Sequence, residues 1–394
     1  MNYLFLIILK LIDRYFVRMF CRLFGFFKKE KKQFDLKQIL FQKHQNILFI
    51  KLFGMGNNVL LLPLIIKVKE ALPNATFYFL TLDQNKGVFK NCSFIEHVYG
   101  IKAENLLELP FSIIACLSEL RKKEFDLIFD FEQFVKISTL VIQLLKTKAT
   151  VGFDTPNQHR GKFYDIAVPY RSDCHILENF AQIIKSVGIN IEKLKLMPIP
   201  ISEHDKLEVS GFLSKHGQTH KDIFIGVHIG SGINFRGRRW PVENFVKLTD
   251  KLSTNCSIRI ILTGNKEETL LVRRIIASVG DKTKIIDTSG KFDVAQLAFL
   301  ISICELFISN DTAPVHIATA MDVPVVAFYG PNTPDIYGPY TDNKLVFYKR
   351  LSCSPCLTNL NAKTSFCLSP KCMRAIEVEE VYNEINRRYL DKFQ

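Results

Sequence analysis

Residues Cys304–Tyr340, CELFISNDTAPVHIATAMDVPVVAFYGPNTPDIYGPY, constrain the fold more than any other stretch of the chain. The apolar run Leu306–Ser309 reads as a buried strand, and Asn310–Pro314 reads as a polar turn. A helix follows over Pro314–Met321, then a second apolar strand over Pro324–Tyr329 and the loop Gly330–Pro334. Strand, turn, helix and strand in this order make one unit of a parallel sheet. Small and hydroxylic residues in the turn leave backbone N–H groups facing outward. The helix start adds about half a positive charge, so the turn suits a phosphate at a strand carboxyl end. The same residues also fit a plain capped helix, with Asp311 or Thr312 as the cap.

At 394 residues, 47% of them apolar, the chain can bury two cores and is globular. It shows no internal repeat and no low-complexity tract. The formal net charge of +13 is uneven. Residues 1–32 hold eight Lys/Arg and two acids and so supply +6 of it. A charge concentrated this way argues for a local basic anchor and against nucleic acid as the main partner. Ten cysteines without a cleavable leader point to a reducing compartment with most thiols free.

The first 27 residues are apolar but broken by Lys10, Asp13, Arg14, Arg18 and Arg22. The four cations recur every fourth residue and share a helical face. A spanning helix needs about 20 mostly apolar residues without such breaks. The segment 1–33 is therefore expected to be an amphipathic helix lying in a membrane interface, with Lys28–Lys32 offering charge to anionic headgroups.

Asn46–Leu52 reads as a strand, Phe53–Asn58 (FGMGNN) as a glycine-rich turn, and Val59 onward as a helix. Further strands are expected over Ala75–Leu80 and Phe125–Phe131, the latter ending at Asp130 and Glu132. His175–Gly188 has helical apolar spacing, with His175 at its start. A hinge falls at Leu196–Lys206. A second alternating series then begins with Ile223–His228 and continues through Ile258–Thr263 and Ile285–Thr288. Near the end, Cys353-x2-Cys356-x10-Cys367-x4-Cys372 has a spacing that zinc can use, although free thiols fit it as well.

The stretch NDTAPVHIATAMDVPVVAFYGPNTP resembles the sugar-nucleotide motif of glycosyltransferase family 9, the heptosyltransferase family of lipopolysaccharide synthesis. Arg236–Pro241 (RGRRWP) is similar to the family's basic-x-Trp-Pro pattern. The likeness runs from about Asn46 to the C-terminus. It implies an α/β chain of GT-B fold, with two doubly wound Rossmann-like domains facing across a cleft. The expected boundaries are 34–202 for an acceptor-side domain and 203–350 for a donor domain, with a cysteine-rich loop and final helix over 351–394.

The resemblance implies an enzyme that moves a sugar from a nucleotide-diphosphate sugar, ADP-heptose by family default, to a lipopolysaccharide-core or related glycolipid hydroxyl. Transfer would invert the anomeric carbon, with no metal or other cofactor. Arg238, with Arg239 as fallback, would hold the donor diphosphate, and Glu268 the ribose. Asp311, Thr312 and the Ala313 backbone would hold phosphate, with Gly230, Thr263 and His316 completing the donor set. Gly56, Arg160 and Lys162 fall on the acceptor side. The family's glycine turn ends in an Asp that deprotonates the acceptor, but here that position is Asn57, and an amide cannot take the proton. Glu132, and after it Asp130, are the candidate replacement bases. The alternative is a catalytically silent nucleotide-sugar or glycolipid binder. An epimerase or phosphorylase would need a carboxylate/His set or a cofactor lysine, and no such motif stands in the sequence. The expected location is the cytoplasmic face of the inner membrane, held peripherally.

Overall fold

A computed structural model describes residues 11–17, 19, 22, 44–103, 105, 107–217, 219, 222–232, 236–255, 257–358, 365 and 367–391. Most of the expected N-terminal amphipathic segment therefore lies outside the described residues. The chain divides into two compact units, Met1–Lys195 and Leu196–Gln394.

The first unit is built on six parallel strands: β1 Asn46–Ile50, β2 Thr76–Leu82, β3 His97–Ile101, β4 Glu124–Asp130, β5 Lys146–Asp154 and β6 Ile166–Pro169. They lie in the order β3-β2-β1-β4-β5-β6. The helices are α1 Met55–Ala71, α2 Glu108–Arg121, α3 Ile137–Gln143 and α4 Ile176–Lys185. The sheet is apolar on both faces because helices cover both. Phe49 of β1 stacks on Phe129 of β4 at 5.4 Å and 9° and meets Phe77 edge-on at 5.1 Å. Helix α1 carries LLLPLII and buries residues all round its axis, so it lacks the one-sided pattern of a surface helix. Helix α4 is amphipathic and buries Ile176, Leu177, Phe180, Ile183 and Ile184. His175 is its N-cap, accepting from Leu177 N at 3.2 Å.

The second unit repeats the plan with β7 Ile223–His228, β8 Ile258–Thr263, β9 Ile285–Asp287, β10 Leu306–Asn310, β11 Val325–Tyr329 and β12 Lys344–Tyr348. Their order is β12-β11-β10-β7-β8-β9, all pairs parallel. Its helices include α5 Glu203–Lys215, α6 Val242–Ser253, α7 Thr269–Ser278, α8 Val294–Ser302 and α9 Ala313–Ala320, and a further helix over Val378–Ile385 lies near the C-terminus. Trp240 fills the core, stacked on Phe328 at 4.5 Å, and its indole N–H donates to Ile376 O at 2.9 Å.

Read from the first strand outward, both sheets have the 3-2-1-4-5-6 order of a doubly wound fold. The connections reverse direction between β1 and β4 in one unit and between β7 and β10 in the other. Such a switch point opens a crevice beyond the strand carboxyl ends, which is where ligands bind in these sheets.

Candidate active site

In the second unit the switch point brings together the turn after β7 (Ile229–Gly232) and the turn after β10 (Asp311–Thr312). The polar residue that fixes them is Asn310, which is fully buried. Its amide donates to Ile229 O at 3.0 Å and Gly230 O at 2.9 Å, and its carbonyl accepts from Trp240 N at 2.8 Å. One side chain thus ties both turns to the start of α6.

Arg238 lies across the same crevice. Its Nη1 donates to Asp311 O at 2.9 Å and lies 3.4 Å from Asp311 Oδ2, and its Nη2 donates to Ser231 O. Its Nε is buried without a hydrogen-bond partner. The Asp311 carboxylate also accepts from Asn332 Nδ2 at 3.0 Å, drawing in the loop after β11. Thr312 is the N-cap residue of α9, yet its side chain makes no capping bond to the helix. Its hydroxyl bonds to Asn310 O at 3.2 Å and lies 3.2 Å from Ser309 Oγ. The first-turn amides of α9 are thus left uncapped by a side chain beside a guanidinium, an arrangement suited to phosphate. Ala313 opens that turn, and His316 is buried one turn in.

Glu268 sits on the other flank. With Asn265 it forms a capping box, in which Asn265 N donates to its Oε2 at 3.0 Å. Its Oε1 accepts from Ser231 N at 3.2 Å and Gly232 N at 3.4 Å and lies 3.6 Å from Arg239 Nη2. A Cβ on Gly230 would come within 2.2 Å of this carboxylate, which would have to shift and give up its bonds to the turn to admit a side chain. Next to it His228 places Nδ1 3.0 Å from Thr263 Oγ1 and Nε2 3.9 Å from Glu268. Burial holds the imidazole pKa below its ordinary value. Arg239 lowers it further, against the opposing pull of Glu268.

The donor residues expected from sequence therefore converge. Arg238, Arg239, Glu268, Gly230, Thr263, Asp311, Thr312, Ala313 and His316 all stand at the carboxyl edge of one sheet. Sequence reasoning passed over His228, Asn310 and Asn332, which complete this edge. Asn310 could have been found from its place at the end of β10, just past the apolar run Leu306–Ile308, where an amide must have partners if it is buried.

The first unit treats its expected residues differently. Asp130 is fully buried, and its Oδ2 accepts from Arg160 Nη2 at 2.8 Å, Tyr164 OH at 2.6 Å and Ser138 Oγ at 2.7 Å. Burial pushes its carboxyl above the usual range, against the pull of Arg160. A raised pKa would suit a base, but no substrate hydroxyl reaches an oxygen with no exposed surface. Arg160 has no exposed surface either and spends Nη1 on Val135 O at 2.9 Å. These two residues were expected at the acceptor, and the structure commits them to each other inside the core.

Glu132 is also enclosed. Its Oε2 pairs with Lys51 Nζ at 2.8 Å, and its Oε1 accepts from Leu52 N and Phe53 N, both at 2.8 Å. Both side chains of this pair are 2% exposed. The expected replacement base thus holds the β1–α1 turn in place and has no oxygen turned to solvent. Asn57 is half-buried in the first turn of α1, after Gly54, whose φ of 90° is a left-handed value favouring glycine. Gly56 is buried, and Lys162 is exposed.

Cys353 and Cys367 are exposed, Cys356 is half-buried and Cys372 is buried, and all four are free thiols. Burial pushes the Cys372 thiol up to about 11. Zinc–sulfur bonds of about 2.3 Å require sulfurs to gather closely. Among the described residues no three of these sulfurs lie within 4.8 Å of one another, yet Cys353, Cys356 and Cys367 all add to the rise of the Cys372 thiol, so the four cysteines fold into one neighbourhood. The segment also braces the loop after β11: Leu357 N donates to Pro331 O at 2.7 Å, and Ser354 Oγ donates to Gly330 O.

Two doubly wound units, the second carrying a cation and a helix start at its switch point, give the chain the architecture of the GT-B enzymes. The family model described as glycosyltransferase family 9 (heptosyltransferase) matches residues 113–366. The chain belongs to that family. Lipooligosaccharide heptosyltransferase 2 of Campylobacter jejuni is 27% identical over 313 residues, which cover 76% of this chain and 90% of that protein. The solved family 9 glycosyltransferase of Veillonella parvula superposes with a TM-score of 0.73 at 20% identity, covering 88% of this chain and 98% of that one. The solved ADP-heptose lps heptosyltransferase II of E. coli superposes at 0.69 with 16% identity, covering 89% and 100%. The chain is thus a glycosyltransferase of the heptosyltransferase family of lipopolysaccharide synthesis.

Proposed function

We propose that this enzyme transfers heptose from ADP-heptose to a hydroxyl of a lipopolysaccharide-core acceptor, with inversion at the anomeric carbon. The observation that carries the donor half is the Arg238–Asp311–Asn332 cluster set against the uncapped start of α9. In this reading Arg238 and the α9 amides meet the diphosphate and take up the negative charge that grows as the sugar–phosphate bond breaks. Glu268 holds the Gly230–Gly232 turn. It receives ribose hydroxyls in exchange for its longer contacts, 3.4 Å to Gly232 N and 3.6 Å to Arg239. The name of the E. coli neighbour, an ADP-heptose lps heptosyltransferase, supports this choice of donor.

On the acceptor side, Asn57 accepts a hydrogen bond from the incoming hydroxyl and orients it; as the new bond to the anomeric carbon forms and ADP departs, the hydroxyl proton leaves to solvent water, since an amide cannot take it. Glu132 and Lys51 keep the turn that carries Asn57 in place, and exposed Lys162 meets acceptor anions. The basic N-terminal segment keeps the enzyme on the cytoplasmic face of the inner membrane. Among the described residues no helix is long and apolar enough to cross a membrane.

The test is a mass-spectrometric screen in which the purified protein is incubated with nucleotide sugars, with and without lipopolysaccharide-core acceptors. Acceptor-dependent consumption of ADP-heptose with release of ADP is expected. Preference for a UDP- or GDP-hexose would overturn the donor assignment. With the base missing from the native site, Asn57→Asp is expected to raise the transfer rate by about 100-fold, the ordinary worth of a positioned general base. An unchanged rate would remove Asn57 from the acceptor site.

A further inference from the structure

Residues 11–17, 19 and 22 are helical, and their polarity is reversed relative to an ordinary docked surface helix. Its inward side is led by an acid. Asp13 Oδ1 accepts from Lys136 N at 2.7 Å and Ile137 N at 3.1 Å, and its Oδ2 pairs with Lys136 Nζ at 3.0 Å. It thereby caps the start of α3 from 123 residues away. Lys136 is only 3% exposed, so this contact is enclosed. One turn on, Val17 packs against Phe163 and Leu140. The outward side is apolar: Leu11, Ile12, Tyr15 and Met19 are 47%, 40%, 60% and 56% exposed. Arg14 and Arg22 are exposed with them, and the Arg14 guanidinium lies 5.7 Å from the Tyr15 ring.

A helix that spends its one carboxylate on the protein and turns its apolar side chains outward needs an apolar partner rimmed by negative charge. The +6 carried by residues 1–32 makes an anionic bilayer that partner. We infer that this helix is a rigid membrane foot: Asp13 latches it to the first unit at the start of α3, and Leu11, Ile12, Tyr15 and Met19 enter the lipid interface. The inference rests on the membrane reading above and goes beyond it. A flexible tether would leave the enzyme free to tumble at the surface. A latched foot fixes how the β4–α3 turn, which begins beside Asp130 and Glu132, stands relative to the bilayer that holds the acceptor.

The test uses the full chain and two vesicle preparations, phosphatidylethanolamine with phosphatidylglycerol, and phosphatidylcholine alone. Flotation is read together with hydrogen exchange at the Lys136 and Ile137 amides. Wild type is expected to float with the anionic vesicles and to keep both amides protected while bound. The double variant Tyr15→Ser/Met19→Ser should partition roughly tenfold less with the two amides still protected. Asp13→Ala should still float while those amides exchange roughly tenfold faster. If vesicle binding strips protection from the wild-type amides, the foot leaves the protein to insert and the latch is overturned. If Asp13→Ala leaves exchange unchanged, the latch is likewise overturned. If the double variant floats as wild type does, the outward face is not the lipid contact. Sedimentation without lipid covers a second copy as the occupant, since a wild-type dimer lost in the double variant would overturn the bilayer assignment. Failure of the wild type to float on either vesicle would instead sink the membrane reading itself.

Discussion

At the scale of single residues, the charges in the two units are put to different uses. Lys51 and Glu132 neutralise one another at 2.8 Å with almost no exposure, so removing one partner strands the other. Glu132→Gln is predicted to cost about 3 kcal/mol of stability, read as a lower denaturation midpoint, and to slow transfer without shifting its pH profile. A shifted profile would restore Glu132 as the base. His228 stays neutral in the fold because its native pKa is depressed. The stability this neutral form contributes is complete above about pH 6.5, the value for a free imidazole. It is lost as pH falls through the lower native value, where the folded protein must take up a proton it resists. His228→Gln should flatten that acid-side decline in a pH series of unfolding midpoints, and a decline equally steep in the variant would remove His228 from its cause.

At the scale of elements, the strand-turn-helix pattern was legible because buried parallel strands are short apolar runs closed by small polar turns. The segment Leu306–Tyr329 shows this: strand, turn, helix and strand fall within a residue or two of their expected places. What a carboxylate near a strand end does was not legible. Asp130 and Glu132 sit where the resemblance leads one to expect the acceptor, but their partners Arg160, Tyr164 and Lys51 come from 30 to 81 residues away. Spacing along the chain carries no trace of such pairings, and the inward turn of both acids follows from them. Asp13 is similar: in a basic segment it reads as a flaw in an amphipathic face, and only the capped start of α3 gives it a purpose. The turn after β7 makes a sharper prediction. Gly230→Ala would drive a methyl into the Glu268 carboxylate, so nucleotide affinity should fall roughly tenfold or more while the circular-dichroism spectrum stays unchanged. Unchanged affinity would mean that this turn does not shape the donor site.

At the scale of the molecule, two units of the same winding order have divergent switch points. The second gathers an arginine, an Asp-Thr turn and a helix start at one sheet edge. The first encloses its ion pairs and presents an amide, Asn57, where the family's pattern has an acid. Under the proposed function the enzyme is furnished more fully for holding a donor than for activating an acceptor, and the proposed role of its basic N-terminal segment is to hold it where lipid-linked acceptors are found. That division makes donor binding the most direct object of test. Calorimetric titration of ADP into the wild type and into Arg238→Ala is predicted to show one site, weakened roughly 10- to 100-fold in the variant by loss of a charge-assisted contact. Equal affinity in the two proteins would contradict the placement of the donor diphosphate at the switch point of the second sheet.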